Sequence, residues 1–130
     1  MCLGAVLLCG SCGTVQTYVI LINTTNYSVD GRLFYDEEQT LPASGLEVLG
    51  TEVTFSIPAG QSFSFNRDCE DLQAIFIKDA DMRVAPGVSP ETESDVYREP
   101  DDFSCGRTIT FTFSQNPAGT ELNVTFALVP

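Results

Sequence analysis

The sequence predicts an all-β fold, a two-sheet antiparallel β-sandwich of seven to nine short strands that is immunoglobulin-like only in the loose sense. Two observations carry that reading. Apolar residues alternate with Thr, Ser and Asn in VTFSI (53–57), QSFSF (61–65), TITFTF (108–113) and LNVTFAL (122–128), so Phe, Val and Ile share one face and small uncharged polar residues the other. A period of two, rich in β-branched and aromatic residues, marks a strand with one buried face. In addition, no stretch of ten or more residues has a convincing helical period, and Pro/Gly punctuation recurs at sandwich-like spacing.

Taken in order, YVILIN (18–23) is apolar on both faces and reads as a central strand. VDGRLFYD (29–36) alternates through Val29, Gly31, Leu33 and Tyr35. Pro58-Ala59-Gly60 joins Val53–Ile57 to Gln61–Asn66 as a hairpin, proline fixing φ and glycine free to take positive φ. AIFIKDADMRV (74–84) reads as a tight hairpin around Asp79-Ala80, where polar residues interrupt the apolar run. Residues 85–104, rich in Pro, Asp and Glu, read as a long excursion with a short strand near Val96-Tyr97. Asn116-Pro117-Ala118-Gly119 closes the last hairpin. The immunoglobulin type proper is disfavoured, because its core Trp is missing and Cys69 and Cys105 stand closer together than its bridge.

Composition limits the chemistry. The 130 residues suit about one domain, and at 43% apolar they can build a core. Eighteen acidic against six basic residues give a net charge of −12. Such a surface repels phosphate backbones, so no nucleic-acid partner is expected. Histidine is absent, which excludes Ser-His-Asp triads, Cys-His dyads and His-ligated metal sites. Lys78 is the single lysine. Acid–base work would fall to carboxylates.

The N-terminal stretch MCLGAVLLCGSCGTVQT contains a Cys-Gly-Ser-Cys motif at 9–12. A redox CxxC needs a preceding buried strand and a following helix start, and Gly13-Thr14-Val15 supplies no helix start. A papain-type site needs an aromatic where Gly13 stands, and a histidine. A zinc knuckle needs a second pair, whereas Cys69 and Cys105 come singly. What remains is a short apolar run ending in small residues before a cysteine, too short to span a bilayer. LGAVLLCGS followed by Cys12 resembles the end of a bacterial lipoprotein export signal. It departs from that pattern in carrying Cys9 where leucine is usual and in lacking a positive leading region. The resemblance implies that residues 1–14 are an export segment, that Cys12 is lipidated, and that residues 15–130 form a single sandwich held to a membrane by the lipid. It places the protein outside the cytoplasm, membrane-anchored, in the periplasm or on the cell surface.

With Cys12 assigned to processing, Cys69 and Cys105 remain in the body of the chain, and in an exported domain a disulfide is the default. Closing such a loop contributes about 3–4 kcal/mol by limiting the unfolded chain. Acidic neighbours argue against a reactive thiol pair. Among the loop carboxylates, Asp68, Glu70 and Asp71 with Asp101 and Asp102 are the candidate metal ligands, because a Cys69–Cys105 bridge would draw their loops together. Calcium is the ion they would suit, as it accepts irregular carboxylate loops; the bland alternative is a solvated acidic surface. Asn23-Thr24-Thr25, Asn26-Tyr27-Ser28 and Asn123-Val124-Thr125 match the glycosylation pattern and read as accidents of strand composition.

The function these features support is a non-catalytic binding or structural module of the bacterial cell envelope, without a cofactor. A protein partner would meet it through an exposed edge strand. A calcium-binding surface domain is one alternative, and a carboxylate-dependent hydrolase, which would need a concave site, is another.

Overall fold

The computed structural model describes residues 15–129; residues 1–14, on which the export segment and Cys12 fall, lie outside the described residues, as does Pro130. The elements are β1 (Gln16–Asn23), β2 (Val29–Asp36), α1 (Ala43–Leu49), β3 (Thr51–Ile57), β4 (Ser62–Asp68), β5 (Ala74–Met82), β6 (Glu91–Thr92), β7 (Tyr97–Arg98), β8 (Thr108–Gln115) and β9 (Leu122–Val129). They form two sheets. One has the order β4-β1-β8-β9; the other has the order β3-β2-β5-β6, with β7 also on β5.

The period of two sets what each sheet buries. From the four-stranded sheet, Val19, Leu21, Ile109, Phe111 and Phe113 face inward and are fully buried. Val29, Leu33, Ile57, Ile75 and Ile77 meet them from the other sheet. Aromatic rings fill the seam, with Tyr97 stacked on Phe126 at 3.8 Å between centroids and Phe55 against Phe113 at 5.7 Å. The sandwich and its nine strands agree with the sequence reading.

Four details differ from it. The pairing is not wholly antiparallel: β1 runs parallel to β8, from Tyr18 opposite Thr108 to Asn23 opposite Phe113, and antiparallel to β4 on its other side. Parallel neighbours need a long crossover, and residues 24–107 supply it by building the whole second sheet between them.

The expected hairpin at 79–80 is a bulge within one strand. Chain direction continues through β5, while Asp79 takes φ 54° and the register against β2 shifts between Asp30 and Arg32. The polar interruption at 78–81 marks that irregularity rather than a turn. Gly31 stands opposite. A Cβ there would lie 2.6 Å from the Phe55 ring and 3.0 Å from the Ala80 Cα, so only glycine lets the strands close over the bulge.

The third detail is helix α1. Its seven residues are too few to show a helical period, and one buried side chain, Leu46, docks it. Leu46 packs with Phe34, Ala74 and Phe76 on the outer face of the second sheet, where alternation would have left two phenylalanines in water. Tertiary packing forms this helix, since a helix of seven residues is unstable alone. The fourth detail is the segment Pro58-Ala59-Gly60, which closes no hairpin: β3 belongs to the second sheet and β4 to the first, so the turn carries the chain across from one sheet to the other.

Candidate functional site

The two ends of the sandwich differ in chemistry. At one end Cys69 and Cys105 are bonded, with Cα atoms 5.3 Å apart. The same end holds the start of β1: the Cys69 N–H donates to the Val15 carbonyl at 2.9 Å, and the Gly106 N–H donates to Thr17 Oγ1 at 3.4 Å. The chain after β2 is tied in through Gln73 N–H to the Asp36 carbonyl, and through the Arg98 guanidinium to the Gln39 and Leu41 carbonyls. These connections gather Asp36, Glu37, Glu38, Asp68, Glu70, Asp71, Glu99, Asp101 and Asp102 at one end, against Arg67, Arg98 and Arg107.

The candidate metal ligands therefore share an end but not a site. Asp68 accepts from Gln16 Nε2 at 3.0 Å, and Asp102 accepts from the Arg98 N–H at 2.8 Å. Glu70, Asp71 and Asp101 are exposed. Among the described residues no three His, Cys, Asp or Glu side chains converge as a metal-binding group.

At the opposite end lie the loops 24–28, 58–61, 83–90 and 116–121, and their charged residues are Arg83 and Glu121 alone. Asn23 locks this end. Its side chain is buried, donates to the carbonyls of Tyr27 and Ile57 at 2.8 Å and of Pro58 at 3.2 Å, and accepts from the Thr25 N–H and hydroxyl. One amide thus joins the β1–β2 loop to the β3–β4 connection. Nothing in the sequence points to this clamp beyond a motif, Asn23-Thr24-Thr25, that matches a glycosylation acceptor; at 1% exposure Asn23 is closed to any such modification.

The outer faces of the sheets also differ. The second sheet is ionic: Arg32 pairs with Asp79, and Arg83 with Asp30 at 2.9 Å and Asp81 at 3.1 Å. Asp79 holds the Arg32 proton more tightly, raising its pKa first through their hydrogen bond. Lys78 is raised likewise, first by its hydrogen bond to Glu93 and then by Glu47. A shallow groove lined by Asp30, Thr54, Ser56, Asp79 and Asp81 runs over this face, and its charges are already paired. The four-stranded sheet presents the contrary surface. Ser62, Ser64, Asn66, Tyr18, Ile20, Ile22, Thr108, Thr110, Thr112, Thr125, Ala127 and Val129 alternate with the inward core residues and carry no charge, while Asp68, opposite Gln16 at the end of β4, puts a carboxylate on the same face. Their uncharged character was legible in the strand alternation; their union on one face depends on the β1–β8 pairing and was not.

A two-sheet β-sandwich with an acidic end and an end that carries few charges is the class of protein the fold defines. No family model matches the sequence, and a search of curated proteins returns no match. Among solved structures, a protein from Eubacterium rectale determined by NMR is similar at a TM-score of 0.54 and 12% identity, over 85% of this chain and 86% of that one. The type VI secretion lipoprotein TssJ1 from Pseudomonas aeruginosa is similar at a TM-score of 0.47 and 13% identity, over 91% and 100%. The cytotoxin suilysin from Streptococcus suis is similar at 0.48 and 10%, over 89% of this chain and 24% of its own. At such identities the first likeness is one of fold alone, and the other two carry no argument about function.

Proposed function

We propose that this is an exported, lipid-anchored β-sandwich without catalytic activity, serving as a binding or structural module of the bacterial cell envelope. The observation that carries the reading is the Cys69–Cys105 bond, placed beside the start of β1. Disulfides persist in oxidising compartments, so the bond favours export. Val15, three residues after Cys12 in the sequence, lies at the acidic end, where its carbonyl accepts from the Cys69 N–H. A lipid on Cys12 would hold that end to the membrane and turn the uncharged end, with its Asn23 clamp, outward. Repulsion between the acidic end and anionic headgroups would hold the body off the bilayer over about a Debye length, ~8 Å at physiological salt.

The test is mass spectrometry of the protein recovered from a bacterial host that processes lipoproteins. Acylated Cys12 as the first residue, with no peptide from residues 1–11, is the expected result. An exported protein that retains Met1 would end the proposal.

A further inference from the structure

We propose that the open edge of β9 docks an extended segment of a partner protein, one with Lys or Arg at its ends, which adds to the four-stranded sheet as a further strand. The inference deepens the binding-module reading and rests on it, though not on the lipid at Cys12.

The first observation is the state of the edge. Among the described residues β9 pairs with β8 alone, at the end of the order β4-β1-β8-β9. Its register is unbroken over the whole strand, from Leu122 opposite Gln115 to Val129 opposite Thr108, so no bulge turns it aside. LNVTFALV contains neither proline nor charge. Such a strand presents a row of outward N–H and C=O groups that a further strand can pair. The Arg107 guanidinium donates to the Val129 carbonyl at 3.4 Å, so the open row runs over residues 122–128. The other edges are guarded. β3 carries Glu52, β4 carries Arg67 and Asp68, and β6 and β7 are two residues each. Charge and brevity are ordinary means of keeping a second strand off an edge, and β9 uses neither.

The second observation is an uncovered apolar margin. Val124, Phe126 and Leu128 pack against the core yet are only half-buried, whereas Phe113, Phe111 and Ile109, opposite them on β8, are fully buried. An added strand with apolar side chains at every second position would cover that margin. Main-chain bonds would supply affinity and the alternating side chains would supply selection.

Charge selects the occupant. Tyr97 stacks on Phe126 at 3.8 Å between centroids, which brings the surroundings of Tyr97 up to β9. Asp95 and Asp102 are close enough to act on the Tyr97 phenol, and both are exposed. At the other end of the strand Glu121, also exposed, precedes Leu122. Carboxylates therefore border the edge toward both ends. A second copy, at −12, would bring the same carboxylates to the seam and be repelled, whereas a segment with cationic ends is attracted.

Titration of a fluorescent peptide with the full chain tests the proposal, using Cys2→Ser, Cys9→Ser and Cys12→Ser together so that neither lipid nor intermolecular disulfide intervenes. The probe alternates Thr with Val and Phe over about seven residues and ends in lysine on both sides, a length that matches the open row. Anisotropy should show saturable one-to-one binding, with amide hydrogen exchange slowed in residues 122–129. Glutamate in place of the two lysines should weaken binding at least tenfold, and N-methylation of the peptide's amides should abolish it. Thr125→Lys with Ala127→Lys, both at exposed positions of β9, should weaken binding tenfold or more while the melting temperature stays near that of the parent. Ser62→Lys, on the opposite edge strand β4, should leave binding unchanged. No binding up to about 1 mM, a bond ~4 kcal/mol or weaker, overturns the proposal. So do equal affinity for the lysine and glutamate probes, binding of the N-methylated probe, and exchange slowed on β3 or β4 instead. A mass that doubles with concentration in the absence of peptide, with exchange slowed on β9, assigns the edge to a second copy and overturns it as well. None of these results bears on acylation of Cys12, so failure at the edge is distinguishable from failure of the anchored-module reading.

Discussion

Asn23→Ala removes the amide that holds the uncharged end together. Three of its hydrogen bonds are wholly buried: the donation to the Ile57 carbonyl and the two it accepts from Thr25. Truncation leaves those partners without a match and without water, at about 1–3 kcal/mol for each group stranded. Some relaxation is available, because the Thr25 hydroxyl also donates to the Tyr27 carbonyl at 2.7 Å. The working figure is therefore about 3–5 kcal/mol, a large part of the 5–15 kcal/mol that stabilises a typical domain. For a domain of this size that is a fall in melting temperature of roughly 10–20 °C. Thermal unfolding followed by circular dichroism reads it directly. Asn26→Ala is the control: Asn26 is exposed and uses its backbone N–H to reach Gln115, so its side chain should matter by less than about 0.5 kcal/mol. A fall below about 3 °C for Asn23→Ala, or equal falls for the two variants, would refute the reasoning, since a cost of a few kcal/mol cannot appear as so small a shift.

Two further outcomes are expected in solution. Burial raises the Tyr97 phenol above its ordinary pKa, with Asp95 and Asp102 adding to the effect. A folded value above the unfolded one gives stability that is intact below about pH 10 and lost as pH climbs through the folded value, so alkaline titration should show a stability decline that Tyr97→Phe reduces; an unchanged decline would show that other groups cause it. At matched ionic strength, millimolar calcium and magnesium should raise the melting temperature equally, by screening the acidic end. A rise with calcium that clearly exceeds magnesium, and that is lost on changing Asp68, Glu70 and Asp71 to the corresponding amides, would instead establish a site there.

The sheets were legible in the sequence because alternation is a local signal. β2 occupies the 29–36 span read from its pattern, and the chain turns at both Pro-Ala-Gly segments, at 117–119 within the β8–β9 hairpin and at 58–60 between the two sheets rather than in the expected hairpin. What was not legible depends on partners distant in sequence. The bulge at Asp79 makes sense only against Gly31, and α1 only against Phe34 and Phe76. Asn23 looks like any other strand-end asparagine until Ile57 and Pro58 arrive beside it. For the candidate ligands, the shared end followed from the spacing of Cys69 and Cys105, but the directions of five loop carboxylates follow from no sequence pattern.

The parallel pairing of β1 with β8 also governs the order in which this molecule can be made. β1 is the first strand to be synthesised and is among the most apolar, yet its neighbours are β4 and β8, and Tyr18 must wait for Thr108. β2, β3 and β5 can assemble early from closer partners, whereas β1 stays half-paired until the last fifth of the chain appears. Pairing of that kind delays folding, because loop closure must precede any gain from the contact. YVILI is therefore an aggregation-prone strand without a partner until β4 is made, and it keeps one edge open until β8 is made. Truncation ahead of Thr108 removes more than a terminal hairpin; it takes away the inner neighbour of the first strand.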